Sequence, residues 1–216
     1  MMINTDRKIL NSKEIFQKAL KEKYAIGAFN ISNLELIQAI VEASEEMQSP
    51  LILQVSQKAK EYIGNNYLYK LVEGALFSST IPIVLHLDHG ESFDTCKECI
   101  DMGFTSVMID GSKYDFEKNI ELTKQVVDYA HNFGVSVEGE LGKLSGVEDD
   151  ISIENIDAIY TDPDKVKEFI ERTGCDSLAV AIGTSHGAYK FKNEPKLDLK
   201  RLKKIKDLVN LLLNSG

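Results

Sequence analysis

Four strand-like runs in this chain each end in side chains able to bind a metal or move a proton, and helical patterns separate them. The runs are Ile83-Val84-Leu85-His86-Leu87-Asp88-His89-Gly90, Ser106-Val107-Met108-Ile109-Asp110, Val135-Ser136-Val137-Glu138-Gly139-Glu140 and Leu178-Ala179-Val180-Ala181-Ile182-Gly183-Thr184-Ser185-His186-Gly187. Strands joined by helical crossovers are parallel, and a parallel sheet gathers its carboxyl ends on one face. The chain is therefore constrained to an α/β fold whose chemistry sits at those ends.

The rest of the chain keeps this rhythm. Residues 24–30 read as a first strand, and Ser32 with Glu35 three residues on reads as a capping box opening a helix. Leu34, Ile37, Val41 and Ser44 fall near one face of that helix. Residues 50–56 form a near-continuous apolar run, suited to a strand buried on both faces. Helices follow through Phe93, Cys96 and Ile100, and over residues 116–133, with Gly134 as a stop. After the fifth strand comes a long polar segment, residues 142–160, of the kind that forms a lid or site wall. Asp162-Pro163 then opens a helix that Gly174 closes, the sixth strand ends at His186, and a last helix starts near Asp198. Six βα units suit either an open doubly wound sheet or part of an eight-stranded barrel, and periodicity leaves both open.

Composition narrows the function. A net charge of −9 argues against a nucleic-acid surface. No stretch resembles a signal peptide or reaches the length of a membrane span, and three cysteines suit a reducing compartment, so a cytoplasmic protein is expected. An anionic small substrate remains compatible, because backbone N–H groups, a lysine or a metal can supply local positive potential.

Asp88-His89 is the sharpest pair: a deprotonated imidazole nitrogen is a good zinc ligand, and a neighbouring Asp can exchange protons. Adjacent strand residues face opposite ways, so a turn begun at Gly90 is needed to swing both into one mouth. The same pair would also suit an Asp capping the next helix beside a partly buried His. His186, in Gly183-Thr184-Ser185-His186-Gly187, sits in a small-residue turn that can approach a ligand closely or carry a His incidentally. Glu138 and Glu140 share a strand face, so they need either a cation or a Lys or Arg partner. Asp110 and Glu140 are candidate carboxylate ligands at two further strand ends, and His86 reads as an internal hydrogen-bonding group. Cys96-x-x-Cys99 lies in a helical pattern with no second pair, so neither a zinc knuckle nor a redox motif is expected. His131 reads as surface.

His86-Leu87-Asp88-His89-Gly90, Val137-Glu138-Gly139-Glu140-Leu141-Gly142, Gly146-Val147-Glu148-Asp149-Asp150 and Gly183-Thr184-Ser185-His186-Gly187, with Ala28-Phe29-Asn30 and Leu53-Gln54-Val55-Ser56, resemble the class II, metal-dependent fructose-bisphosphate aldolases. The resemblance implies a single (β/α)8 TIM-barrel domain over residues 1–216, with about six of eight βα units present and the C-terminal part incomplete. It implies reversible cleavage of fructose 1,6-bisphosphate to dihydroxyacetone phosphate and glyceraldehyde 3-phosphate. Alternatives are cleavage of tagatose 1,6-bisphosphate, or an inactive barrel fragment. Catalytic Zn²⁺ would lie on His89 and His186, with Asp110 and Glu140 at a second or alternative metal position. Asp88 would exchange the C4 hydroxyl proton, and Glu148 a proton at the dihydroxyacetone phosphate carbon. Asn30 and Ser56 would place the substrate, and Gly187 and Lys190 would face a phosphate. The family's third histidine ligand, on a seventh strand, falls beyond these residues. The expected partners are a sugar bisphosphate and, in the complete protein, further copies in a dimer or tetramer, with no nucleic acid and no membrane.

Overall fold

A computed structural model describes residues 10–142, 160–183 and 196–213. Six parallel strands form one sheet: β1 (Gly27–Asn30), β2 (Leu51–Ser56), β3 (Ile83–Gly90), β4 (Ser106–Ile109), β5 (Ser136–Leu141) and β6 (Ser177–Val180). Their order in the sheet is their order in the chain, β1-β2-β3-β4-β5-β6. A doubly wound sheet reverses strand order at a switch point, and none occurs here. The sheet curls as a half-barrel, resolving the alternative that periodicity left open.

The helices are α1 (Ser12–Glu22), α2 (Leu34–Glu46), α3 (Gln57–Ile63), α4 (Asn65–Ser78), α5 (Phe93–Asp101), α6 (Phe116–Ala130), α7 (Pro163–Thr173) and α8 (Leu199–Leu213), with a 3-10 turn at His131–Phe133. None is long and apolar enough to cross a membrane, among the described residues. Alternation along the strands sorts side chains between two faces. Leu51, Leu53 and Val55 of β2 and Ile83, Leu85 and Leu87 of β3 point outward and pack against α2, α4, α5 and α6 in the main core. Leu141 meets Val166 and Phe169 of α7 and Ile205 of α8 in a second cluster. β2 is buried on both faces at Leu51, Ile52, Leu53 and Val55, while Gln54 and Ser56, farther along its inner side, are half-buried.

The inner face is closed at its amino-terminal end by α1, which sequence reasoning did not place. Asn11 caps it by accepting the Glu14 N–H at 3.1 Å. Ile15 is buried with Ile52 and Val84. The buried carboxylate of Asp176 accepts from Lys13 Nζ at 3.1 Å, His131 Nε2 at 2.9 Å and the Val137 N–H at 2.9 Å, tying α1 to β5. Other local expectations also shift. The cap of α2 is Asn33, accepting from Leu36 N at 2.9 Å, and not Ser32. Leu34 is exposed while Ile37, Val41 and Ser44 are buried, because Leu34 lies in the first turn, beyond the sheet's reach. β1 begins at Gly27 and not at residue 24. β6 ends at Val180, well before His186, which lies outside the described residues. Asp162, Pro163, Gly134 and Gly174 take the capping positions their types favour.

No turn begins at Gly90. Instead β3 carries a bulge between Leu87 and Gly90, with His89 at φ 51°. The extra residue breaks the alternation, so Asp88 and His89 both face inward and Gly90 returns to the ladder opposite Ile109. A Cβ on Gly90 would lie 2.6 Å from the Met108 carbonyl oxygen and 2.7 Å from Cys96 Sγ. Gly90→Ala is therefore expected to cost ~1–3 kcal/mol through overpacking, read as a lower midpoint in urea denaturation. A midpoint equal to the parent's would show that the bulge relaxes freely.

Candidate metal centre

The bulge sets His89 between three carboxylates from three strands. His89 Nδ1 is 3.0 Å from Asp110 Oδ2, just beyond β4, and 3.5 Å from Glu140 Oε2 on β5. His89 Nε2 is 3.9 Å from Asp88 Oδ1. One donor atom each from His89, Asp110 and Glu140 lie within 4.8 Å of one another. Asp88 is held from the other side by the Asn30 amide, which donates to its Oδ2 at 2.7 Å. Ser56 ends β2 in register with Asp88, and its hydroxyl caps α3 by accepting the Ala59 N–H at 3.2 Å. Asp88, His89 and Glu140 open onto a cavity of about 290 Å³ whose walls include Gln54, His86, Glu138 and Met108.

The electrostatics of this cluster are those of anions crowded in a poorly solvated place. Burial and the Asp110 charge push the Glu140 carboxyl up to about 7. Burial and the Asp88 charge do the same for Glu138, also to about 7. The hydrogen bond to Asp110, outweighing burial and aided by the Glu140 and Asp88 charges, raises His89 to about 9. Burial would raise Asp110, but hydrogen bonds from His89 and from Ser112 outweigh it and bring it to about 2. A proton on His89 thus does part of what a cation would do.

The residues fit a divalent metal on a direct observation: Glu140 Oε2 is buried and has no hydrogen-bond partner among the described residues. A buried carboxylate oxygen without a partner is costly, and a metal ion removes that cost by reversing the local potential. Imidazole with carboxylate oxygens is a donor set for Zn²⁺ and its first-row neighbours. The Asn119 amide fixes the Glu140 backbone by donating to its carbonyl at 2.8 Å. Asn119 escaped sequence reading because nothing in a helix sequence says which strand its face will meet.

Of the residues singled out from sequence, Asn30, Ser56, Asp88, His89, Asp110 and Glu140 come together at the carboxyl end of the half-barrel. Glu148, His186, Gly187 and Lys190 lie outside the described residues. Cys96 and Cys99 are buried free thiols, both pushed up by burial, and take no part. His131 is half exposed on the Asp176 cluster, away from the site.

The family model for class-II fructose-bisphosphate aldolase matches residues 10–216. The fructose-bisphosphate aldolase of Helicobacter pylori is 48% identical over 206 residues, covering 95% of this chain and 67% of that protein. That of Geobacillus stearothermophilus is 49% identical over 213 residues, covering 96% and 73%. The crystal structure of the YdjI aldolase from Escherichia coli K12 superimposes with a TM-score of 0.79 at 35% identity, covering 96% of this chain and 70% of that one. The chain thus spans about two thirds to three quarters of each relative's length.

Proposed function

This chain belongs to the class II fructose-bisphosphate aldolase family, and from that premise we propose that it serves the reversible, metal-dependent aldol cleavage of fructose 1,6-bisphosphate to dihydroxyacetone phosphate and glyceraldehyde 3-phosphate. The observation carrying this reading is the buried oxygen of Glu140, without a hydrogen-bond donor among the described residues, beside His89 and Asp110 and next to an aspartate held by an amide. The site would work at the mouth of a (β/α)8 barrel of which these residues form one domain.

His89 and His186 would hold Zn²⁺, with Asp110 and Glu140 at a second or alternative position. When bound, the ion supplies Lewis-acid stabilisation of the negative charge that C–C cleavage leaves on the substrate. Asp88 is the proton carrier: it takes the C4 hydroxyl proton in cleavage and returns it in condensation. The Asn30 amide aims it by fixing Oδ2 and leaving Oδ1 toward His89 and the cavity. Ser56 accepts from the Ala59 N–H, which leaves its own hydroxyl proton for a substrate oxygen. Glu148 would move the proton at the dihydroxyacetone phosphate carbon, and Gly187 with Lys190 would face a phosphate.

Tagatose 1,6-bisphosphate differs at C4, the carbon whose hydroxyl Asp88 would serve. Initial rates with both sugar bisphosphates test the reading, with the fructose isomer expected to give the higher kcat/KM. A preference for the tagatose isomer would overturn the substrate, and no cleavage of either by the zinc-loaded protein would overturn the activity.

A further inference from the structure

A chain of hydroxyls runs from α1 to the floor of this site. The strand register lines up His86, Ser106 and Ser136 as neighbours across β3, β4 and β5. Ser12, the first residue of α1, reaches into that row. His86, Ser106, Ser136 and Ser12 are all buried.

Each serine carries one proton, so the direction of one bond decides the next. Ser136 Oγ donates to the Thr105 carbonyl at 3.3 Å. With that proton in use, Ser136 Oγ accepts from the Ser12 N–H at 3.1 Å and from the Ser12 hydroxyl at 2.7 Å. Ser12 Oγ then accepts from the Ser106 hydroxyl at 3.3 Å. A Ser106 proton given to Ser12 leaves none for His86, and the 2.7 Å contact is then a donation from His86 Nδ1–H to Ser106 Oγ. Burial lowers His86 to about 4, so the ring is neutral and carries a single proton. Nε2 is then a bare lone pair on the cavity, 3.7 Å from Glu138 Oε2.

We propose that Ser12 is a positioning residue for the site: acting through Ser106, it holds the proton of His86 on Nδ1 and so presents Glu138 with a lone pair in place of a donor. The inference rests on the proposed aldolase function for its catalytic consequence, but not for the proton position. Glu138 stands beside Asp88, and a proton on Nε2 would offer Glu138 a donor and draw its carboxyl toward His86. Within the described residues no other side chain donates to Glu138.

The test is Ser12→Ala. It removes the acceptor for the Ser106 proton, which then turns toward His86 Nδ1, so the ring proton must move to Nε2. A long-range proton–nitrogen correlation spectrum of the full chain with 15N-labelled histidine reads the two ring nitrogens directly, His86 being assigned by its loss in His86→Gln. The expected result is Nδ1–H in the parent and Nε2–H in Ser12→Ala. With it, kcat for fructose 1,6-bisphosphate falls about 10-fold while KM and zinc content hold. A merely structural role for Ser12 would lower stability without moving the proton. Nε2–H in the parent would overturn the inference even if the variant fails to fold. So would a variant that keeps Nδ1–H, or a moved proton with unchanged kcat. The ring spectrum reads the relay whether or not the chain cleaves sugar bisphosphates, and parent turnover alone reads the proposed function.

Discussion

Replacing Asp88 with alanine is expected to lower turnover about 10²–10⁴-fold, the usual contribution of a positioned general acid or base. That corresponds to roughly 3–5 kcal/mol of barrier. Zinc content should stay close to the parent's, because Asp88 touches His89 only at 3.9 Å and lies outside the cluster of donor atoms. The Asp88→Asn variant separates chemistry from placement: it keeps an oxygen for the Asn30 amide but loses the ability to take up the hydroxyl proton. Both variants should therefore be equally slow. Turnover near the parent's in either, at full zinc occupancy, would remove Asp88 from the chemistry.

Stripping the metal should abolish cleavage, and Zn²⁺ should restore it. Borohydride with substrate should trap no adduct, since none of the described residues lining the cavity is a lysine able to form a Schiff base. A covalent lysine adduct, or activity surviving complete metal removal, would refute this. Metal affinity should also rise with pH in a way the geometry dictates. A metal displaces the proton that His89 holds up to about 9 and the one that Glu140 holds up to about 7. Affinity therefore climbs as pH increases from 6, steeply while both protons must leave, less steeply above 7, and levels off above about 9. Isothermal titration in two buffers of different ionisation enthalpy counts the protons released. Thermal unfolding gives an independent reading: at a free metal concentration of 100 times Kd the folded state gains about 2.7 kcal/mol, and Glu140→Ala should lose most of that gain.

Much of this arrangement is written in local pattern. The strand ends bearing Asp110 and Glu140 follow from the alternation of β4 and β5, and the caps at Asp162, Gly134 and Gly174 follow from residue type. What local pattern does not carry is register. The row His86, Ser106, Ser136 exists only because three strands pair at particular offsets, and nothing within one strand states the offset of another. The bulge at His89 is hidden for a related reason: an imidazole at φ 51° is unfavourable locally and is held there by its neighbours. The helix α1 went unread, although Asn11 as cap and Ile15 and Ala19 four apart are local signals for it, and its place beneath the inner face is set by residues elsewhere. Its partners lie on strands far along the chain.

That distance has a consequence during synthesis. Ser12 meets Ser136 across 124 residues, and Lys13 meets Asp176 across 163. A ribosome adding about 5–20 residues per second needs roughly 6–25 s to deliver Ser136 after Ser12 has appeared. Throughout that interval the first helix has been synthesised while its anchors are unmade, with Ile15 able to reach only the early strands. The α1 segment is thus translated well before the strands that fasten it, and until they arrive it is open to chaperones and proteases.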